Sequence, residues 1–179
     1  MESIRKNTSL TYELIIIDNG SKSDVQEWVK NNADQSIIFS NNQGFSKGFN
    51  AGLKIARGEY VMMANNDTEF PPQWDVKLIE SLEKYPKVGI VSPVYTNGRR
   101  IAKRKYSGNK LIKVGRFKRG PSGVAYFMRR LDMINIFGKW CEDYKIASGE
   151  DADLCMTVWN NNYDILIDER VLIKHKGKA

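Results

Sequence analysis

Hydrophobic and polar positions form blocks along the first half of the chain that predict strands followed by helices. Continuous apolar runs predict buried strands at residues 12–17, 37–39, 60–64 and 88–91. Between them, apolar residues recur every three or four positions, as Phe45, Phe49 and Leu53 do, which predicts amphipathic helices. Strands that alternate with helices indicate an α/β fold with a mostly parallel sheet flanked by helices.

The second half of the chain is less regular. It predicts two helices, at residues 131–137 and 148–160, and extended segments at 123–128, 163–167 and 171–174. We expect the extended segments to add antiparallel strands to the sheet. No internal repeat and no linker divides the chain, so the prediction is a single domain that comprises residues 1–179.

Composition is that of an ordinary globular domain. The chain has 179 residues, of which 41% are hydrophobic and 27% are charged, and this length can enclose a substantial core. No apolar run approaches the roughly 18 residues that a membrane-spanning helix needs. Two cysteines, Cys141 and Cys155, do not make a disulfide scaffold or a zinc site. These features predict a cytoplasmic protein.

Positive charge is concentrated in one segment, residues 99–119, which has ten basic residues and no acidic one. Because the net charge of the whole chain is +7, the rest of the chain is acidic on balance. Such a basic segment indicates an anionic partner, namely phosphate, an acidic membrane surface or nucleic acid, or else a solvated loop. No zinc-finger or RNA-binding signature accompanies it, which disfavours nucleic acid.

Three polar clusters follow apolar strands or open helices, at residues 18–21, 65–67 and 149–153. The first two follow predicted strands, and in α/β proteins ligands bind beyond the carboxyl ends of the strands. Each cluster also has a simpler interpretation. Asn-Gly and Asn-Asn-Asp sequences form turns, and acidic residues stabilise the first turn of a helix.

The chemistry of these clusters suggests a cation site and a general base. Asp67 is flanked by amide side chains, and it could hold a hard cation that also binds phosphates. The single histidine, His175, is either structural or a further ligand for that cation. Glu150, Asp151 and Asp153 exceed what a helix terminus needs, and a carboxylate there could take a proton from a hydroxyl nucleophile.

In their order along the chain, five motifs resemble those of family 2 glycosyltransferases with the GT-A fold, in the branch that includes bacterial rhamnosyltransferase-like enzymes. The motifs occupy residues 15–21, 41–45 with 50–52, 58–68, 149–155 and 175–177. The resemblance covers nearly the whole chain and implies a Rossmann-like sheet. The chain departs from the family at Trp140-Cys141, where the family usually has Phe-Asp before its acidic motif.

The resemblance also implies roles for individual residues. Asp67 and His175 would hold a divalent cation, Mn or Mg, while Asn65 stands where the family usually has the first Asp of its Asp-x-Asp motif. Asp151 would be the general base, and Glu150 and Asp153 would position the acceptor or brace the base. The implied donor-binding set is Asp18, Asn19, Asn42, Gly44, Asn50, Asn65, Asn66, Ser122 and Gly123.

The implied function is inverting, metal-dependent transfer of a sugar from a UDP- or dTDP-sugar to a hydroxyl acceptor, in the synthesis of a bacterial surface polysaccharide. The acceptor would be a saccharide or a lipid-linked molecule, and residues 99–119 would meet its phosphate or the inner face of the membrane. The alternative is a catalytically inactive, truncated transferase that serves as a nucleotide-binding or assembly module.

One departure from the family concerns the first strand. In the family, a strand and its loop precede the helix that ends here near Asn7, and the strand is central in the sheet. The resemblance therefore implies that this chain lacks that strand. We expect a rearranged sheet, completion by another chain such as a second copy in a homo-oligomer, or a chain that is a fragment of a longer protein.

Overall fold

The computed structural model describes residues 1–96, 107–116, 120–144 and 149–177. The helices are α1 (Glu2–Asn7), α2 (Ser23–Asn32), α3 (Phe45–Ile55), α4 (Trp74–Lys84), α5 (Arg130–Asp132) with a π-helical turn (Met133–Phe137), and α6 (Glu150–Asn160). The strands are β1 (Ile15–Asp18), β2 (Gln35–Ile38), β3 (Tyr60–Ala64), β4 (Thr68–Glu69), β5 (Val88–Thr96), β6 (Leu111–Lys113), β7 (Ala125–Arg129) and β8 (Asp164–His175). None of the helices in these ranges is long and apolar enough to cross a membrane.

The larger sheet has six strands. Its order is β3-β7-β5-β8-β4, and β6 pairs with β8. The β5–β8 pair is parallel, whereas β3–β7, β5–β7, β6–β8 and β4–β8 are antiparallel. The α/β class and the sheet flanked by helices are confirmed, but the sheet is mixed rather than mostly parallel. The antiparallel pairing of β7 confirms the expectation for the second half of the chain, whereas its position between β3 and β5 was not predictable, because an apolar run predicts burial and not the neighbours of a strand.

A second, smaller sheet consists of β1 and β2. These two strands are parallel, with Ile15 opposite Gln35 and Asp18 opposite Ile38. In the described part of the chain, neither strand pairs with the larger sheet. Helix α2 connects the two strands, and α3 packs against β1, where Gly48 and Gly52 approach the Ile17 side chain closely.

The core lies on both faces of the larger sheet. On β7, Tyr126 and Met128 belong to a cluster with α6 and the π-helical turn, whereas Ala125 and Phe127 belong to a cluster with α4. This division follows from the pleat, because successive side chains of a strand point to opposite faces. The sheet is therefore buried on both sides, which explains the continuous apolar runs in its sequence.

Several element boundaries differ from the predictions. The sequence predicts a helix that begins with proline at Pro71. Helix α4 begins at Trp74 instead, because Gln73 adopts a left-handed conformation with φ 58° and donates its N–H to the Asn7 carbonyl. The two extended segments at 163–167 and 171–174 form one strand, β8. The helix expected at 131–137 is present as α5 and the π-helical turn, and it ends at Gly138. Residues 97–106 and 117–119 of the basic segment lie outside the described residues.

Candidate functional site

Asp67 and His175 lie side by side where β3 ends. The β4–β8 pairing places Thr68 opposite His175, and this brings His175 Nε2 to 3.1 Å from Asp67 Oδ1. The other carboxylate oxygen accepts a hydrogen bond of 3.1 Å from the Gly177 N–H, and the Lys176 N–H donates to the Asp67 carbonyl at 2.9 Å. The end of β8 thus holds Asp67 in place, although the two residues are 108 positions apart in the sequence.

The donor atoms at this position fit a cation that is shared with phosphate. Among the described residues, no group of three His, Cys, Asp or Glu side chains could hold a metal by itself. Mg²⁺ in nucleotide sites is commonly held by one or two carboxylates together with substrate phosphates and water. Asp67 and His175 could supply the protein's share of such a shell. Asn65 is fixed next to them, because its N–H donates to the Val124 carbonyl and its carbonyl accepts from Thr68 Oγ1.

Asp151 stands in the first turn of α6, against the segment that leads into β7. Its Oδ2 accepts a hydrogen bond of 3.2 Å from the Gly123 N–H, and its Oδ1 accepts one of 2.8 Å from the Ala152 N–H. A Cβ atom at Gly123 would lie 3.3 Å from the Asp151 Cβ, so glycine permits this close approach. Two N–H donors therefore orient a carboxylate that is only partly buried and can still meet a substrate.

A chain of contacts connects Asp151 with His175 through a residue that sequence reasoning missed. Next to Gly123, Ser122 Oγ donates to the Tyr95 hydroxyl oxygen at 2.9 Å. The Tyr95 ring meets the His175 ring edge to face, with ring centroids 5.8 Å apart. Tyr95 lies near the end of β5, beyond Pro93, where the prediction had already ended the strand. No motif in the sequence marks it.

Asp18 ends β1 and is almost fully buried, with 5% of its surface exposed. Burial alone would raise the pKa of this carboxyl group. Hydrogen bonds from Ser21 and Gly20 outweigh burial and lower the pKa below its ordinary value. Asp18 is therefore an ionised carboxylate at neutral pH, at the carboxyl end of its strand.

The amides of the donor-binding prediction hold the turn before α3. Asn19 Oδ1 accepts from the Gln43 N–H at 2.7 Å, and its Nδ2 donates to the Gly44 carbonyl at 3.1 Å. Asn42 Oδ1 accepts from the Gly44 N–H at 2.9 Å. Gly44 has φ 88°, a left-handed conformation that favours glycine. These contacts fix the turn against the loop that follows Asp18.

Three predicted residues have surroundings of another kind. The Asn50 amide bonds to the Trp140 backbone in both directions, at 2.9 and 3.0 Å, and to Glu142 at 2.7 Å, so it fastens α3 to the segment after the π-helical turn. Glu150 is buried at 6% exposure. Asp153 is partly buried, and its N–H closes the first turn of α6 on the Gly149 carbonyl at 2.9 Å.

A cavity of about 1320 Å³ connects the smaller sheet with the cation-binding candidates. Its walls include Asp18, Asn19 and Gly44 on one side and residues 65–67 on the other. Asn42, Asn50, Ser122, Gly123 and Asp151 do not line it. The structure therefore places most of the predicted residues in two groups, one around this cavity and one around Asp151, whereas Asn50 belongs to neither group.

Proteins of known structure have a similar fold. The chain is similar to S. aureus TarS in complex with UDP-GlcNAc, with a TM-score of 0.77 and 16% identity over 99% of this chain and 56% of that one. It is also similar to GalNAc-T7 with UDP, GalNAc and Mn²⁺, with a TM-score of 0.74 and 16% identity over 97% of this chain and 39% of that one.

Residues 1–138 match the profile of Glycosyl transferase family 2, and the chain belongs to this family. It is 33% identical over 84 residues to the poly-beta-1,6-N-acetyl-D-glucosamine synthase of Staphylococcus epidermidis, which corresponds to 45% of this chain and 20% of that protein. It is 26% identical over 92 residues to an uncharacterized glycosyltransferase of Haemophilus influenzae, which corresponds to 51% of this chain and 31% of that protein. The chain thus spans about a third or less of these curated relatives.

Proposed function

We propose that this chain transfers a sugar from a nucleoside diphosphate sugar to a hydroxyl acceptor in a single displacement that inverts the anomeric centre. The observation that carries the proposal is the contact chain from Asp151 through Ser122 and Tyr95 to His175. These contacts connect the partly exposed Asp151 carboxylate, which is suited to act as a base, with His175. His175 and Asp67 are suited to hold a cation that binds the leaving diphosphate. Family membership supports glycosyl transfer as the reaction.

In this reaction Asp151 takes the proton from the acceptor hydroxyl while the hydroxyl oxygen attacks the anomeric carbon. The bond between that carbon and the diphosphate oxygen breaks, and the nucleoside diphosphate leaves with the electron pair. The N–H groups of Gly123 and Ala152 keep the carboxylate oriented. A divalent cation, Mn or Mg, held by Asp67 and His175 would neutralise charge on the departing diphosphate.

For the donor we propose a UDP- or dTDP-sugar. S. aureus TarS binds UDP-GlcNAc and GalNAc-T7 binds UDP in their crystal structures, and both have a similar fold. The ionised Asp18 carboxylate, at the carboxyl end of β1, is suited to hydrogen-bond the base or the ribose. Glu150 and Asp153 flank the base on α6 and would position the acceptor.

The acceptor that we propose belongs to a bacterial surface polysaccharide, and we place the chain in the rhamnosyltransferase-like branch on the resemblance of its motifs alone. Two relatives support a polysaccharide or lipid-linked acceptor: the synthase of Staphylococcus epidermidis and an undecaprenyl-phosphate 4-deoxy-4-formamido-L-arabinose transferase of Pseudomonas savastanoi, 27% identical over 97 residues. In the basic segment, Lys110, Lys113 and Arg116 are exposed and could meet a lipid-linked phosphate at the inner face of the membrane.

Replacing Asp151 with asparagine tests the reaction. We expect the Asp151→Asn variant to lose at least a hundredfold in turnover, measured as release of UDP or dTDP from a panel of sugar donors with saccharide acceptors. Its affinity for UDP with Mn²⁺ should be unchanged, because Asp151 contacts neither Asp67 nor His175 directly. The matched control is Asp24→Asn, which removes an exposed carboxylate from the first turn of α2. Unchanged turnover in the Asp151→Asn variant would refute the base.

A second candidate function is an inactive module that binds nucleotide or assembles with a partner. One observation favours this function. The cavity between the smaller sheet and β3 separates Asp18, a candidate for donor binding, from the candidates for cation binding, which lie on the larger sheet. Calorimetry with UDP and Mn²⁺ distinguishes the two functions. Nucleotide binding without turnover on any donor of the panel would support the module, and turnover that depends on Asp151 would exclude it.

A further inference from the structure

Two side-chain hydroxyl groups, those of Tyr95 and Ser122, form a pair with hydrogen-bonding capacity to spare. Ser122 Oγ donates to the Tyr95 hydroxyl oxygen at 2.9 Å, and both side chains are partly exposed. Each hydroxyl group has one O–H donor and two acceptor lone pairs. Within the described residues, neither hydroxyl group has a second hydrogen-bond partner. One O–H proton of the pair and several of its lone pairs therefore remain for a ligand.

The Tyr95 side chain connects the two halves of the proposed reaction centre. On one side, its ring meets the His175 ring edge to face, with the ring centroids 5.8 Å apart. On the other side, its hydroxyl group is bonded to Ser122. The next residue along the chain, Gly123, donates its N–H to the Asp151 carboxylate at 3.2 Å. The hydroxyl pair thus lies between the proposed base and the residues that are suited to hold a cation.

The register of the larger sheet places the pair there. In the parallel β5–β8 pair, Tyr95 lies opposite Ile173, two positions before His175. In the antiparallel β5–β7 pair, Val91 lies opposite Phe127. Continuing this register along both chains brings Tyr95 level with the segment that leads into β7. Strand pairing, rather than a mobile loop, therefore positions Tyr95.

The segment that carries Ser122 is held firmly as well. The Tyr126 hydroxyl group donates to the Pro121 carbonyl at 2.5 Å. Burial raises the pKa of Tyr126, so this hydroxyl group stays protonated and keeps the bond. A Cβ atom at Gly120 would lie 2.6 Å from Cys155 Sγ, so the segment packs tightly against α6. The hydroxyl pair is therefore preorganised, which lowers the cost of ordering it around a ligand.

The geometry of the proposed reaction determines which part of the substrate meets the pair. In a single displacement, the attacking oxygen, the anomeric carbon and the leaving oxygen lie in line. The acceptor hydroxyl lies at Asp151, and the departing diphosphate lies on the side of Asp67 and His175. The transferred sugar then occupies the space between them, alongside Tyr95 and Ser122.

We propose that the Tyr95–Ser122 hydroxyl pair binds one hydroxyl group of the transferred sugar, and that Tyr95 is a residue that determines donor specificity. The inference rests on the sugar transfer proposed above and adds a residue that selects the substrate of that reaction. A site that hydrogen-bonds a substrate hydroxyl rejects an analogue without it, because the protein groups are then left unpaired. The pair should therefore accept a sugar with a hydroxyl group at the facing position and disfavour the corresponding deoxy sugar.

Calorimetry in the presence of Mn²⁺ tests this inference without turnover. A panel of UDP- and dTDP-sugars identifies the donor that the parent chain binds most tightly, and each monodeoxy analogue of that donor is then titrated. We expect one analogue to bind about tenfold more weakly than the full donor, the loss that one missing hydrogen bond commonly causes. The free nucleoside diphosphate serves as the reference for binding that does not involve the sugar.

The variant Tyr95→Phe removes the hydroxyl group and keeps the ring that meets His175. It should bind the full donor about tenfold more weakly, and the weakened analogue and the free nucleotide as the parent chain does. A merely structural role of Tyr95 would weaken all three ligands alike. Ser122→Ala should give the same pattern and serves as the second variant if Tyr95→Phe does not fold. The matched control is Tyr85→Phe, which removes an exposed hydroxyl group before β5 begins and should change none of the affinities.

Two results would overturn the inference, and they differ in what they mean for the proposed reaction. Equal binding of every analogue and the full donor to the parent chain would show that the hydroxyl pair does not contact the sugar. Independent losses, in which Tyr95→Phe still discriminates between full donor and analogue, would show the same. In both cases the proposed sugar transfer stands. If the parent chain binds no sugar nucleotide of the panel, the proposed reaction fails together with this inference.

Discussion

The smaller sheet and the larger sheet differ sharply in how much core supports them. In β5, six successive residues from Val88 are buried, and in β1 only Asp18 is. Among residues 1–43, Val29 is the single buried hydrophobic side chain. The cation residues and Asp151 lie on the well-supported sheet or beside it, whereas Asp18 and Asn19 lie on the weakly supported pair.

Because their cores differ, we infer that the two parts of the candidate site differ in local stability. Regions with few buried apolar contacts open with lower free energies than the core does. The region of β1, α2 and β2 should therefore open while the larger sheet stays folded. A donor that contacts both parts would bind more weakly than it would to a fully ordered site, because it must first order the smaller part.

The largest expected effect comes from isoleucine truncation in the two sheets. Ile90→Ala removes a fully buried side chain of β5 and should lower the free energy of unfolding by about 4 kcal/mol. The matched change Ile17→Ala, in β1, removes a half-buried side chain and should cost about 1 kcal/mol. Urea unfolding of both variants checks this, and equal losses would contradict the difference in core support.

Replacing one glycine in each part with alanine should change stability in opposite directions, lowering it in the larger sheet and raising it in the smaller part. A Cβ at Gly89 of β5 would lie 2.6 Å from Phe137, so Gly89→Ala should destabilise the protein by about 2 kcal/mol. A Cβ at Gly52 of α3 would lie 3.4 Å from Ile17, an ordinary contact distance, and alanine also favours the helix. We therefore expect Gly52→Ala to stabilise the smaller part by about 0.5 kcal/mol, measured by native-state hydrogen exchange. Faster exchange in β1 would contradict this packing.

The smallest expected effect is a loss of folding stability at low pH. Burial opposes ionisation of Glu13 and Asp18, but hydrogen bonds from Arg57 to Glu13 and from Ser21 to Asp18 outweigh it and lower both pKa values. The unfolded chain therefore binds more protons, so these groups add stability above their ordinary pKa values of 4.5 and 3.8. This stability is lost as the pH falls through the lowered values.

Unfolding of the Glu13→Gln variant from neutral pH down to about pH 3 measures this effect. The variant should show a flatter loss of stability with acid than the parent chain. Glu27→Gln, which changes an exposed residue of α2, should keep the parent slope. An unchanged slope in the Glu13→Gln variant would contradict the assignment.

Much of the secondary structure could be predicted from the periodicity of apolar residues. Strand β3 has the predicted bounds, and α3 contains the predicted apolar positions. The division into two sheets could not be predicted, because it depends on which strand edges meet over long distances in the sequence. The position of β7 between β3 and β5 is a similar case, since an apolar run does not specify the neighbours of a strand, although its antiparallel direction confirms the expectation for the second half of the chain.

For the candidate site, the sequence indicated which residues could carry the chemistry better than it indicated which residues they contact. It singled out Asp67 and His175 as partners, and the β4–β8 pairing places them 3.1 Å apart. It missed Tyr95, because an aromatic residue near the end of a strand carries no chemical signature of its own. It also gave Asn50 a donor contact, whereas three hydrogen bonds in the structure tie its amide to Trp140 and Glu142.

Hydrogen exchange with and without UDP and Mn²⁺ tests most directly whether the two parts form one donor site. If Asp18 and Asp67 hold the same nucleotide, UDP with Mn²⁺ should slow exchange of the amides of residues 19–21 and of residues 65–67 together, and Asp67→Ala should abolish both effects. Protection confined to one part, or no protection at saturating nucleotide, would contradict a donor site built across the two sheets.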